Sequence, residues 1–198
     1  MKQLLKLTLG GFLAGASISI GAAIYLSCQS KVAGALLFSI GLILVVTYGF
    51  NLYTGMIGFV RSGKELLRAL YALLANALGC TLSFLLPNGE AARAAELWQG
   101  KLANDLPTVF IRAVVCGVLI YACVAYAKKN SGIAAFAYIV LAVAAFILCG
   151  GEHSVADLCF LFAARGFSLQ SVGFILIVAA GNAVGSLALS VWEERTGK

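Results

Sequence analysis

One stretch concentrates the titratable chemistry of this chain: Cys149-Gly150-Gly151-Glu152-His153-Ser154-Val155-Ala156-Asp157. It sets the only histidine between two carboxylates, inside an apolar run that starts near Ile133. A charged side chain at a helix centre in lipid costs about 2.5–3.5 kcal/mol on insertion scales, and such groups usually serve a function. An imidazole titrates near neutrality, so His153 can pass a proton, or it can stay neutral and satisfy a helix break. Glu152 precedes it and must point elsewhere on a regular backbone. A structural role follows for Glu152, bonding freed N–H groups at a break or pairing across a protomer interface. Asp157 lies four residues after His153 and shares its face on a helix. Two readings of Asp157 stand equal: pairing with an imidazolium, or reaching the outer surface. No nucleophile–base pair, metal-ligand set or phosphate-cradling loop accompanies these residues, so an enzyme, a metal site and a cofactor are not expected.

The elements that carry this stretch follow from composition. Of 198 residues 62% are hydrophobic and 11% charged, against about 25% charged in a soluble domain. The apolar residues form long continuous runs rather than the alternating segments of about ten residues that build a barrel. This predicts an all-α membrane protein, a single domain over residues 1–198. The net charge of +6 sits between the apolar runs, where it meets lipid headgroups and sets topology rather than binding nucleic acid. The six cysteines show no metal-ligand spacing and read as small packing residues.

Six spans fit, at about 4–26, 32–60, 66–86, 107–127, 133–164 and 169–192, with a polar loop over 90–105. The N-terminus imitates a signal peptide, but its apolar run is long enough to span and is taken as the first helix. Nine Lys and Arg fall on the side of the termini and five on the other, which predicts cytoplasmic termini in an inner (plasma) membrane. The second and fifth spans are too long. A helix of about 30 residues is about 45 Å, against a hydrocarbon core of about 30 Å. Both hold glycine and polar residues near the middle, so both are predicted to be broken. Asn76-Ala77-Leu78-Gly79-Cys80 and Asn182-Ala183-Val184-Gly185-Ser186 stand 106 residues apart, each after a broken span. Two repeats of three spans, about 1–89 and 106–198, then have opposite orientation, the inverted plan of many transporters.

Phe38-Ser39-Ile40-Gly41-Leu42, Asn51-Leu52-Tyr53-Thr54-Gly55, Glu152-His153-Ser154-Val155-Ala156 and Gly181-Asn182-Ala183-Val184-Gly185 stand in an order and spacing that resemble the formate/nitrite transporter family. The resemblance covers nearly the whole chain. It implies an aquaporin-like six-helix protomer in a homopentamer with one pore per protomer. It implies passage of small monovalent weak-acid anions, such as formate, nitrite, hydrosulfide, acetate or lactate, passive or coupled to protons. By matching position, Phe38, Leu42, Leu52 and Phe146 would line one hydrophobic constriction, and Tyr53 and Ile120 the other. Thr54 and His153 would face each other between them, Asn182 would bond the histidine region, and Lys101 would be a vestibule cation. The family pattern has Asn where this chain has Gly117 and Asp157; at 117 that would remove a polar partner near Lys101. Few residues precede the first span, so no cytoplasmic gating helix is expected.

For an acid with pKa near 4, protonation at pH 7 costs about 4 kcal/mol, comparable to or below the cost of a charge in hydrocarbon. A pore that attracts the anion and supplies a proton would lower the barrier. Lys101 suits the first task and His153 the second. Arg112 reads as an interfacial anchor before a vestibule cation. The glycines at 10, 15, 21, 34, 41 and 79 read as close-packing positions. The rival reading is a neutral-solute channel of aquaporin or urea type, which would need Asn-centred caps in both breaks. Another is a transport-inactive structural member of the family.

Overall fold

In the computed structural model, which describes residues 1–197, the chain is helical throughout. The helices are α1 (Lys2–Ser27), α2 (Lys31–Tyr48), α3 (Tyr53–Ile57), α4 (Gly63–Cys80), α5 (Asn88–Leu102), α6 (Leu106–Lys129), α7 (Ile133–Leu148), α8 (Ser154–Ala164) and α9 (Leu169–Thr196); a 3-10 turn, Thr81–Leu85, extends α4. Local capping chemistry starts several of them. Ser30, Ser62 and Ser168 accept hydrogen bonds from the N–H groups of Ala33, Glu65 and Ser171, and Asp105, two residues before Pro107, accepts from Thr108, each covering a donor the first turn leaves free. Five of the helices, α1, α2, α4 with its 3-10 turn, α6 and α9, are long and apolar enough to cross a membrane.

The distribution of polarity is that of a membrane protein. Leu67, Leu74, Leu141 and Leu176 are more than 60% exposed, while Thr54, Asn76, Asn182, Ser186 and Ser190 are buried to 1% or less. Apolar residues face outward, and polar ones meet inside. At the centre lies α8, where all but two of the eleven residues are buried. It is apolar all round, as a helix packed on every side must be. It packs against α1, α4, α5 and α9.

Two corrections concern the connections. The segment expected as a polar loop over 90–105 is largely the helix α5. Its Ala, Glu, Leu, Arg, Gln and Lys are strong helix formers. It lies against the core because Trp98, fully buried, packs edge-on to Phe174 at 5.2 Å and donates its indole N–H to Ser171 Oγ at 3.2 Å. The second concerns Gly117, which does not face the region of Lys101. It lies at the α6–α9 crossing, where a Cβ would strike the carbonyl of Asn182. Gly185 meets Val114 in the same way, and Gly15 and Gly79 repeat the arrangement between α1 and α4. Absence of a side chain lets these backbones approach.

Candidate functional site

Helical backbone stops twice inside the bundle. After α2, Gly49 takes the left-handed conformation (φ 65°) and residues 50–52 are extended until α3 begins. After α7, Gly150 is left-handed (φ 75°) and the chain is irregular until α8. Each gap exposes backbone groups that must find partners. One asparagine serves each. Asn76 Oδ1 accepts from Tyr53 N at 2.9 Å, and its Nδ2 donates to the carbonyls of Gly11 and Asn51, both at 2.8 Å. Asn182 Oδ1 accepts from Ser154 N at 2.9 Å, and its Nδ2 donates to Ala113 O at 2.9 Å and Glu152 O at 2.8 Å.

The two gaps meet at one contact. Thr54 Oγ1 lies 2.8 Å from His153 Nε2, with both side chains buried. The other ring nitrogen settles the roles. His153 is the N-cap of α8, and its Nδ1 accepts the Ala156 backbone N–H at 3.1 Å. A nitrogen that accepts holds a lone pair, so the proton of the neutral ring is on Nε2 and is donated to Thr54. An imidazolium would lose the cap bond.

Above this contact opens a cavity of about 600 Å³. Phe38 and Phe146 form part of its wall, their rings 6.3 Å apart and edge-on, and Phe146 stacks on His153 at 5.7 Å. Lys101, near the end of α5, reaches in and binds Asp157 Oδ1 at 2.9 Å and Glu152 Oε2. Burial alone would lower the Lys101 pKa, but the charges of Asp157 and Glu152 outweigh it and hold the ammonium above its ordinary value. The ammonium is therefore present throughout the neutral range. The stabilisation it gives holds below the unfolded lysine pKa and fades only as pH rises through the higher folded value.

The structure thus brings together Phe38, Lys101, Phe146, Glu152 and His153 around one space, with Thr54 and Asn182 directly beneath through His153 and Glu152. Leu42, Leu52, Tyr53 and Ile120 are buried but lie outside the cavity wall. The Tyr53 hydroxyl donates to Ala179 O at 3.0 Å. Three expectations change. Glu152 pairs with Lys101 of its own chain. Asp157 neither pairs with the imidazole nor reaches the outside; it also takes Lys101. Arg112 is a cavity residue, its guanidinium beside Gly150 and donating to Asn104 Oδ1 at 3.1 Å. Tyr25 and Phe160, which also line the cavity, carried no signal in the sequence beyond being aromatic and apolar.

A family model described as formate/nitrite transporter matches residues 1–192. The chain belongs to the formate/nitrite transporter family. That is a family of transporters, not enzymes. The formate channel FocA of Escherichia coli strain K12 and that of strain O157:H7 are each 31% identical, over 73% of this chain and 61% of theirs. The chain therefore spans less than two thirds of the length of these relatives. Among solved structures, one described as an FNT family ion channel superposes with a TM-score of 0.87 at 19% identity, covering 100% of this chain and 92% of that one. Another, a pentameric formate channel with formate bound, gives 0.85 at 20% identity, covering 99% and 98%. The formate/nitrite transporter fold is thereby shared over the whole chain.

Proposed function

We propose that the chain conducts small monovalent weak-acid anions, such as formate, nitrite or hydrosulfide, through a pore in each protomer of a homopentamer in the plasma membrane. The observation that carries this reading is the Thr54–His153 contact, 2.8 Å long and buried where the two interrupted helices meet beneath the cavity. Irregular backbone at membrane depth is tolerated where protein buries it or it lines a cavity, and here it does both. Six crossings follow: α1, α2 with α3, α4, α6, α7 with α8, and α9, the second and fifth broken. The matched duties of Asn76 and Asn182, and of the glycine pairs 15/79 and 117/185, support two inverted repeats of three. The excess of Lys and Arg on the side of residues 61–68 and 128–129 supports cytoplasmic termini.

In this reading the cavity is the outer vestibule. An anion entering it meets positive groups at Lys101, Arg93 and Arg112. It then passes the Phe38–Phe146 constriction toward His153. With Nε2–H donated to Thr54, the threonine hydroxyl proton is left to point at whatever passes. Leu42, Leu52, Tyr53 and Ile120 complete the apolar wall on either side of that contact. A charge is excluded from such a wall far more strongly than a neutral acid, so protonation must precede passage.

Uptake of labelled formate into liposomes holding the purified protein tests this, with nitrite and hydrosulfide as competitors. Uptake should exceed that of empty liposomes, accelerate with an inward proton gradient and fall about ten-fold in Thr54→Val, a barrier rise of 1.4 kcal/mol. Uptake no faster than through empty liposomes would refute the reading.

A further inference from the structure

We propose that Glu152 and Asp157 share one proton beside Lys101 and deliver it to a weak-acid anion held in the vestibule. The inference deepens the anion-passage reading and rests on it. Its ground is a charge imbalance in a closed space. Lys101 contacts both carboxyl groups, and the three side chains are 13%, 2% and 1% exposed. One ammonium opposite two carboxylates leaves a net negative charge where little water can solvate it, an arrangement that buried ion pairs avoid. Both carboxyl groups meet the same ammonium nitrogen, Asp157 Oδ1 at 2.9 Å, and so lie close to each other. Asp157 Oδ2, fully buried, meets no N–H or O–H donor. Ionised carboxylates only accept, so two of them in contact repel; one proton between them turns the repulsion into a hydrogen bond.

Among the described residues, no cation other than Lys101 pairs with either carboxylate. From α5, Arg93 donates to the carbonyls of Leu26 and Cys28, and Glu96 adds a further acid at the cavity wall. From α6, Arg112 donates to Asn104, and Cys116 is buried. From α1 comes Tyr25, a neutral phenol at the cavity wall. From α4 and α9 the groups that meet the start of α8 are Cys80 and Asn182. His153 is occupied at both nitrogens, by Ala156 and Thr54.

The transfer is simple to balance. The carboxyl O–H bond breaks as an O–H bond forms on the anion, giving a neutral acid and an ionised carboxylate pair. The neutral acid enters the constriction. The pair regains its proton from water in the vestibule, which restores the starting state.

Infrared spectroscopy of the reconstituted protein at neutral pH tests the shared proton directly. A protonated carboxyl carbonyl band is expected in the wild type. It should vanish in both Asp157→Asn and Glu152→Gln, because either change leaves one carboxylate paired with one ammonium. No such band in the wild type, or a band that survives both substitutions, would overturn the proposal. Formate uptake supplies the second arm. Asp157→Asn should lower the initial rate at neutral pH about ten-fold and make it steeper in external proton concentration than the wild type. An unchanged rate with an unchanged pH slope would also overturn delivery from the pair. If the wild type moves no formate, anion passage itself fails and delivery falls with it, while the infrared band still decides whether the proton is shared.

Discussion

The two interruptions share one backbone frame and differ in what they carry. Asn76 and Asn182 each make three hydrogen bonds, one accepted from the first N–H of the following helix, one donated to a carbonyl within the gap and one to a carbonyl of a neighbouring helix. Around the first gap stand Asn51, Leu52, Tyr53 and Thr54, none of them charged. Around the second stand Glu152 and His153, with Asp157 one turn on and Lys101 reaching in from α5. Satisfying the backbone and supplying the chemistry are therefore separate tasks. The first is done twice by the same residue type. The second is done once, on the side where α5 closes over the bundle.

The largest expected effects test the shared frame. Asn76→Ala and Asn182→Ala each take the partner from the first N–H of the following helix and from a carbonyl in the gap, at about 1–3 kcal/mol for each group. Each should lose about 3 kcal/mol or more of stability, read as a drop in the folded fraction after heating in detergent. Similar losses sharpen the comparison, and tolerance at one site breaks it. Gly117→Asn comes next, since its side chain would enter the α6–α9 crossing; a loss of about 1–3 kcal/mol is expected, matched by Gly15→Asn at the α1–α4 crossing. If Gly117→Asn is neutral, the two crossings are not equivalent. Thr54→Val tests the chemistry instead. It removes the acceptor of His153 Nε2–H at a stability loss of about 1 kcal/mol, and Thr54→Ser should restore it. Asp105 gives the smallest effect and is the exposed counterpart of the buried asparagines. Hydrogen bonds from the Thr108 N–H and hydroxyl hold its carboxyl below the ordinary value of 3.8. Its contribution is present above that pH and is lost as pH falls through the lower folded value. Asp105→Asn should therefore lower the melting temperature slightly at neutral pH and leave it unchanged in strongly acidic buffer, where the wild type has lost the same contribution. A large loss at neutral pH would show that burial is not what separates the asparagine sites from an ordinary cap.

Much of this was legible in the chain itself. The apolar runs located the long helices, and glycine and polar residues stand where helical backbone stops, at 49–52 and 149–153. The recurrence of Asn-Ala-x-Gly found the two bridging asparagines, and the order of motifs placed Thr54 opposite His153. The carboxylates were harder to read. Helical spacing ranks neighbours three and four residues apart, so for Asp157 it offers only His153 or the outer surface. Its true partner, Lys101, lies 56 residues away on another helix, a distance at which no local period carries information. The helix α5 was missed for a related reason: too short and too polar to resemble a crossing, it is held by one buried indole. Position 117 was set near Lys101 by the motif, because spacing does not reveal that a Cβ there would touch the backbone of Asn182.

The origin of the second bridge has a consequence for biosynthesis. Asn76 lies on the helix that follows the first gap, so that gap can close as soon as α4 leaves the ribosome and enters the membrane. Asn182 lies on α9, made after α8. Until then Ser154 N–H and the carbonyl of Glu152 lack this partner, and the histidine end of α8 stays unfastened. The gap that carries the chemistry is thus completed after the first. A nascent chain halted before residue 182 would hold an intact first gap and an open second one, the kind of unfinished span that membrane quality control can recognise and remove.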